Sequence, residues 1–203
     1  MNETVSESPG LVLVRHGAID PRYRGICYGS SDVPLGPEGY RQHAELLDRL
    51  SALPLRCVMH SGLKRTRLLA EAIGWRHPHR QLLCCPELRE RDFGEWELQS
   101  WDDIHAAHGE AMMGMIHEPA SYRPGGGETT LELRDRVMRW YEALPDDGLT
   151  IAVTHGGPIA ALLGTLQGRP ITDWPQLIPA CGKLVRTALA ARRQPFGVDF
   201  LFP

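Results

Sequence analysis

The sequence predicts an α/β protein: a three-layer α/β/α sandwich around a mostly parallel central sheet. Three observations point there. Apolar, strand-like runs alternate with stretches of helical period, the order that builds parallel sheets. The runs Leu11–Val14, Cys57–Met59 and Leu149–Val153 lead into polar turns bearing His or Arg, at Arg15-His16-Gly17, His60-Ser61-Gly62 and His155-Gly156. Open sheets of this class hold ligands beyond the carboxyl ends of their strands, so three such ends suit one shared anion pocket. With 203 residues and 42% hydrophobic content, the chain supplies one substantial core.

Residues 1–10 are polar and acidic and are expected to form a flexible tail, leaving one domain over residues 11–203. The first strand is followed by Ala18 to Pro37, rich in Gly, Pro, Ser and Tyr and long enough to serve a site. Its arginines, Arg22 and Arg24, either approach an anionic substrate or are simply solvated. Pro37-Glu38 opens a helix to about Leu50, with Tyr40, Ala44, Leu47 and Leu50 as its apolar face. Strand two spans Arg56 to Met59. The helix from Leu63 to Ile73 turns Leu68, Leu69, Ala72 and Ile73 inward, and Leu82 to Cys84 forms a short strand. Trp101 to His108 begins a helix whose extent Gly109, Gly114 and Pro119 leave open. Glu128 to Leu144 carries the clearest helical stripe: Leu133, Val137, Trp140, Tyr141 and Leu144. A further β-to-α step joins strand Leu149–Val153 to a helix over Gly157–Gln167. Lys183 to Ala190 supplies a last strand, and Phe196 to Pro203 is expected to pack loosely.

Composition narrows the function classes. A net charge of −3 gives no global basis for nucleic-acid binding, though a local cationic pocket is allowed. No apolar run approaches the roughly 20 residues that cross a bilayer, so no membrane partner is expected. The start lacks the basic segment and apolar core of a secretory signal. The five cysteines are odd in number and lack metal-ligand spacing, which reads as core thiols in a reducing cytoplasm. His77, His79, His105, His108 and His117 sit in polar surroundings and are taken as surface residues. No metal site and no cofactor are expected.

The chemistry lies at the strand ends. Arginine presents a fixed fork of donors to an oxyanion, and histidine near its ordinary pKa serves as nucleophile or base. His16 and His155 occupy equivalent positions, so the residues alone do not rank them. The charged run Glu87 to Glu97 reads as a surface loop, but Phe93 and Trp96 can anchor it against a core. An anchored loop can hold one carboxyl group over the pocket, and spacing does not say which.

Taken together these elements resemble the histidine phosphatase, or phosphoglycerate mutase-like, superfamily. Arg15-His16-Gly17 matches its defining element, which implies that His16 is the phosphorylated histidine. Gly29, Asp32-Val33-Pro34-Leu35 and Glu38-Gly39 resemble the family loop into the first helix. His60-Ser61-Gly62-Leu63-Lys64-Arg65 falls where members carry Ser-Pro-Leu before a second phosphate-binding arginine, a role that passes to Arg65. Leu88-Arg89-Glu90 with Phe93-Gly94 and Trp96-Glu97 matches the acidic motif, with Glu90 at the proton-donor position. Gly126-Gly127-Glu128-Thr129 resembles the element before the long helix, and His155-Gly156 is the second histidine motif. The resemblance implies a phosphoglycerate mutase-like fold and a metal-independent phosphatase working through a phosphohistidine. Its catalytic set is His16, Glu90, Arg15, Arg65 and His155. Gly17, Arg22, Tyr28 and Gly156 are the expected substrate-binding residues.

Three positions depart from the family pattern. Gly62 replaces the usual proline, which is expected to loosen the turn before Arg65. Leu98 stands where many members have glycine and bears on the pocket rim. Arg22 takes the approximate place of an asparagine that often contacts phosphate. The compact chain and the Cys27–Leu35 loop are most similar to the α-ribazole phosphatase branch, which implies α-ribazole 5′-phosphate as substrate. Tyr28 and the Trp96 region either offer apolar contacts to its base or serve packing. The alternative is a broad sugar-phosphate or phosphoglycerate phosphatase or mutase. The opposing class, a non-catalytic phosphate-binding protein, fits poorly because His16, Glu90, Arg65 and His155 are all present. The expected partner is a small phosphorylated substrate, with a homodimer as a candidate assembly.

Overall fold

A computed structural model describes residues 10–189 and 198–199. Strands β1 (Gly10–Arg15), β2 (Leu55–His60), β3 (Gln81–Cys84), β4 (Leu149–Thr154), β5 (Leu184–Ala188) and β6 (Val198–Asp199) join one sheet in the order β3-β2-β4-β1-β5-β6. The β3-β2, β2-β4 and β4-β1 pairings are parallel, and β5 and β6 add antiparallel at one edge. Helices α1 (Pro37–Ser51), α2 (Lys64–Arg76), α3 (Trp101–His108), α4 (Gly114–His117), α5 (Thr130–Glu142) and α6 (Gly156–Leu166) fill the connections.

Successive strand residues face opposite sides of the sheet, so the aliphatic runs feed two separate cores. Val12, Val14, Val58, Ile151 and Val153 meet Leu46 and Leu50 of α1 and Leu69, Ala70 and Ile73 of α2. Leu11, Leu13, Met59 and Ala152 meet Leu133, Val137 and Tyr141 of α5 and Ile159, Leu162 and Leu163 of α6. The two helix layers and the sheet make the expected α/β/α sandwich. Truncating a fully buried member such as Leu13 or Ile151 to Ala costs about 2–5 kcal/mol. A third cluster, Cys27, Trp96 and Ile104 with Phe93 and Trp101 against it, anchors the charged loop. The two aromatics therefore hold that loop as the sequence suggested.

Register positions the site. β1 and β4 pair in step from Gly10↔Leu149 to Arg15↔Thr154, so the next residues, His16 and His155, leave the sheet side by side. Helix α5 starts at a capping box in which Thr129 and Glu132 satisfy each other's backbone N–H groups.

Several expectations need correction. Gly10 belongs to β1 rather than to the tail, and residues 1–9 lie outside the described residues. So do the ends of the 196–203 segment, whose residues 198–199 form β6. The buried face of α1 is Gly39, His43, Leu46 and Leu50, while Tyr40 is half exposed. Gly62 adopts φ +90°, a conformation closed to proline, and its N–H donates to His60 Nδ1 at 3.0 Å. That turn is closed differently rather than loosened. Leu98 takes φ +68°, where a side chain costs about 1–2 kcal/mol, and it points outward. All five cysteines are free; Cys27 and Cys57 are buried, but Cys84 is exposed. Among the described residues no helix is long and apolar enough to cross a membrane.

Candidate active site

His16 is fully enclosed at the end of β1, and its hydrogen bonding fixes its tautomer. A carbonyl oxygen only accepts, so the 2.7 Å contact between Nδ1 and Gly17 O puts the ring proton on Nδ1. Nε2 is left with its lone pair. Burial, reinforced by the Arg65 charge, holds the His16 pKa well below the usual imidazole range, so the ring is neutral at neutral pH. The Gly17 N–H donates to His43 Nε2 at 2.9 Å. Burial pushes His43 down to about 4, which keeps it a neutral acceptor. A Cβ at Gly17 would lie 2.5 Å from Gly39 O, so this turn and the start of α1 approach through glycines.

The His155 ring stands 5.1 Å from the His16 ring, centroid to centroid. Its two nitrogens are both engaged. Arg65 Nε donates to Nδ1 at 3.3 Å, so the proton sits on Nε2 and is donated to Ser61 Oγ at 2.8 Å. Thr66 Oγ1 donates to Leu63 O, which makes it the acceptor of the Ser61 hydroxyl at 2.8 Å. The chain Arg65, His155, Ser61, Thr66, Leu63 thus runs in one direction. It distinguishes two histidines that the sequence left equivalent: only His16 has an uncommitted lone pair.

Two guanidinium groups flank the pair. Arg65 is fully buried, with its fork donating to Ser31 O at 2.6 Å and Gly29 O at 2.7 Å and lying 5.3 Å over the Tyr28 ring. Arg15 donates to Pro179 O at 2.7 Å, and its buried Nε has no partner among the described residues. Buried donors are rarely left unmatched, so an anion beside Arg15 would complete it. Gly156, the first residue of α6, packs against Arg15 and leaves no room for a side chain: a Cβ would lie 2.8 Å from Ile178 Cγ2.

Glu90 reaches the opening of α6, where the Gly157 N–H donates to both its oxygens, at 3.1 and 3.3 Å. Its loop is pinned from behind. Thr154 Oγ1 donates to Leu88 O at 2.7 Å, and Arg136 donates to Glu87 O and, at 3.2 Å, to Glu90 O. Arg136 is itself clamped by Glu128 through two contacts of 2.6 and 2.9 Å. A cavity of about 330 Å³ opens beside Glu90, with Tyr28, Gly29 and Gly157 also in its wall.

The structure therefore brings His16, His155, Arg15, Arg65, Glu90, Tyr28 and Gly156 to one end of the sheet. It does not bring Arg22 there. Asp20, two residues earlier, clasps the Arg22 guanidinium at 3.0 and 3.1 Å, and the side chain stays 76% exposed. Gly17 likewise orients His16 rather than offering its N–H to a ligand, and the His155 ring proton is taken by Ser61 instead of remaining a free donor. His43, Ser61 as a His155 partner, and Arg136 were missed. The first sits on a helix face read as polar, and the others act through contacts between distant segments. Among the described residues no group of three or more His, Cys, Asp or Glu could hold a metal ion.

Comparison with known proteins follows the same outline. A probable phosphoglycerate mutase of Serratia proteamaculans is 30% identical over 167 residues, covering 79% of this chain and 75% of the relative. The mycobacterial glucosyl-3-phosphoglycerate phosphatase structure superposes with a TM-score of 0.75 at 26% identity, covering 89% and 90% of the two chains. The α-ribazole phosphatase of Shigella flexneri shares the fold with a TM-score of 0.76 at 24% identity, covering 87% and 89%. Residues 11–194 match the family described as histidine phosphatase superfamily, branch 1. By that match, and with phosphatases among its relatives, the chain is an enzyme of the histidine phosphatase superfamily.

Proposed function

We propose that the protein hydrolyses small phosphomonoesters through a phosphohistidine on His16. The observation that carries this reading is the tautomer of His16: Nδ1–H is held by Gly17 O, and the neutral ring keeps the Nε2 lone pair for attack. Nε2 forms a bond to phosphorus while the ester P–O bond breaks. Protonated Glu90 gives its proton to the departing alcohol oxygen, a contribution of about 10²–10⁴ in rate. Water then attacks the phosphohistidine and passes a proton to the Glu90 carboxylate. The P–N bond breaks, and neutral His16 and inorganic phosphate are restored. Arg15, with its unmatched Nε, and Arg65 supply the positive charge that the phosphoryl oxygens need in transit. The steps require no metal.

As substrate we place α-ribazole 5′-phosphate first, on the similarity of the Cys27–Leu35 loop and on Tyr28, which joins the cavity wall beside Glu90. The likeness to a probable phosphoglycerate mutase and to a glucosyl-3-phosphoglycerate phosphatase favours a second reading, phosphoglycerate or sugar-phosphate turnover. We assign the enzyme to the cytoplasm, without nucleic-acid or membrane partners. The test is phosphate release from p-nitrophenyl phosphate by EDTA-dialysed protein, followed by competing kcat/KM values for α-ribazole 5′-phosphate and 3-phosphoglycerate. Folded protein that turns over neither class, or that regains activity only with added metal, overturns the mechanism.

A further inference from the structure

The space next to the proton donor has a character of its own. The cavity beside Glu90 is walled by Tyr28, Phe93, Trp101, Ile171, Trp174 and Ile178. Its only charged wall residues among those described are Glu90 and Arg91. Arg91 is already engaged: it donates to Thr130 Oγ1 at 3.0 Å and lies 5.9 Å over the Phe93 ring.

If Glu90 protonates the leaving oxygen, the alcohol portion of the substrate begins at Glu90 and runs into this cavity. A glycerate or free pentose would set a carboxylate or several hydroxyls against aromatic and aliphatic walls. Each polar group left unpaired there costs on the order of tenfold or more in binding. An apolar group instead gains from every atom removed from water. Volume sets the size: an apolar cavity of about 150 Å³ suffices for benzene, and this one is about 330 Å³.

We infer that the enzyme's substrates are phosphate esters whose alcohol carries a hydrophobic aliphatic or aromatic group of one to two rings in volume, as the base of α-ribazole is, seated against Trp101, Trp174 and Ile178. The inference rests on the hydrolase reading above and narrows it to a substrate class. Anionic alcohols such as glycerate fall outside that class.

The experiment compares kcat/KM for ethyl, n-butyl and n-hexyl phosphate, whose alcohols make nearly equal demands on a proton donor, with benzyl phosphate, ribose 5-phosphate and 3-phosphoglycerate. Efficiency should rise by about threefold or more per added methylene. Hexyl and benzyl phosphate should exceed ribose 5-phosphate and 3-phosphoglycerate by roughly 100-fold, as several unpaired polar groups together require. Ile178→Gln, at a wall position 40% exposed and so tolerated by the fold, should flatten the chain-length series. A flat series in the unaltered enzyme, or 3-phosphoglycerate ahead, overturns the hydrophobic class while leaving the phosphohistidine reading intact. An undiminished slope in Ile178→Gln overturns this cavity as the seat of the alcohol. Failure of every ester, with no acid-labile phosphoenzyme, removes the hydrolase reading and the inference together.

Discussion

Gly157 and Glu90 are packed so closely that no side chain fits between them: a Cβ on Gly157 would lie 2.3 Å from Glu90 Oε1. The same glycine donates its N–H to both Glu90 oxygens. A residue of the α6 opening therefore sets where the carboxyl group stands. Gly157→Ala should push Glu90 aside and lower kcat on alkyl phosphates by about 100-fold, the lower end of a general acid's contribution. On p-nitrophenyl phosphate, whose leaving group needs little protonation, the loss should be much smaller. Equal losses on both esters would show that the alanine damages something other than proton donation.

Arg136 holds the backbone that carries this carboxyl group, donating to the main-chain carbonyls of Glu87 and Glu90, while Glu128 clamps it from the other side. The pair is largely buried, with side chains 16% and 14% exposed. Arg136→Met should destabilise the fold by about 2–3 kcal/mol, because it strands the Glu128 carboxylate. It should also show the alkyl-over-aryl rate loss expected of a displaced Glu90. Chemical denaturation and the two-ester comparison read the two effects separately, and a stability loss with unchanged ester selectivity would limit Arg136 to the scaffold.

Acid sensitivity follows from the buried histidines. His43, ordinarily near 6.5, is pushed down to about 4 by burial, and His16 and His155 shift in the same direction for the same reason. The folded state resists protons that the unfolded chain accepts. Stability is thus fully present above about pH 6.5 and is lost as pH falls toward 4, by about 3 kcal/mol for His43 alone. His43→Gln keeps an acceptor for the Gly17 N–H without titrating, so its unfolding free energy should fall less steeply between pH 7 and 4.5. A slope matching the unaltered protein would show that His43 is not protonated on unfolding.

How far the sequence carries these points depends on which partner a residue meets. The strand-end histidines were legible because an aliphatic run followed by a polar glycine turn has a local signature. The long α5 stripe was legible for the same reason: its Leu133, Val137, Trp140 and Tyr141 are all buried, as is Leu144 just past the helix end. The face of α1 was misread because hydrophobic periodicity does not register a histidine that is buried to accept a backbone N–H. Gly39 shares that face because α1 approaches Ala18 and Gly17 closely. Arg22 looked available to a substrate because nothing in residue type says that Asp20 will clasp it. The ranking of His16 over His155 depends on Ser61 and Arg65, which lie 94 and 90 residues from His155 and meet it only in the folded chain.

The central claim is that Nε2 of His16 carries the phosphoryl group. Rapid acid-sparing quench of the enzyme with substrate, followed by peptide mass spectrometry and phosphorus NMR of the isolated peptide, tests it most directly. The account predicts phosphate on His16, bonded at Nε2, forming no more slowly than turnover and absent from His16→Ala. Phosphate on His155, or attachment at Nδ1 of His16, or steady turnover with no phosphohistidine on the pathway, would contradict it.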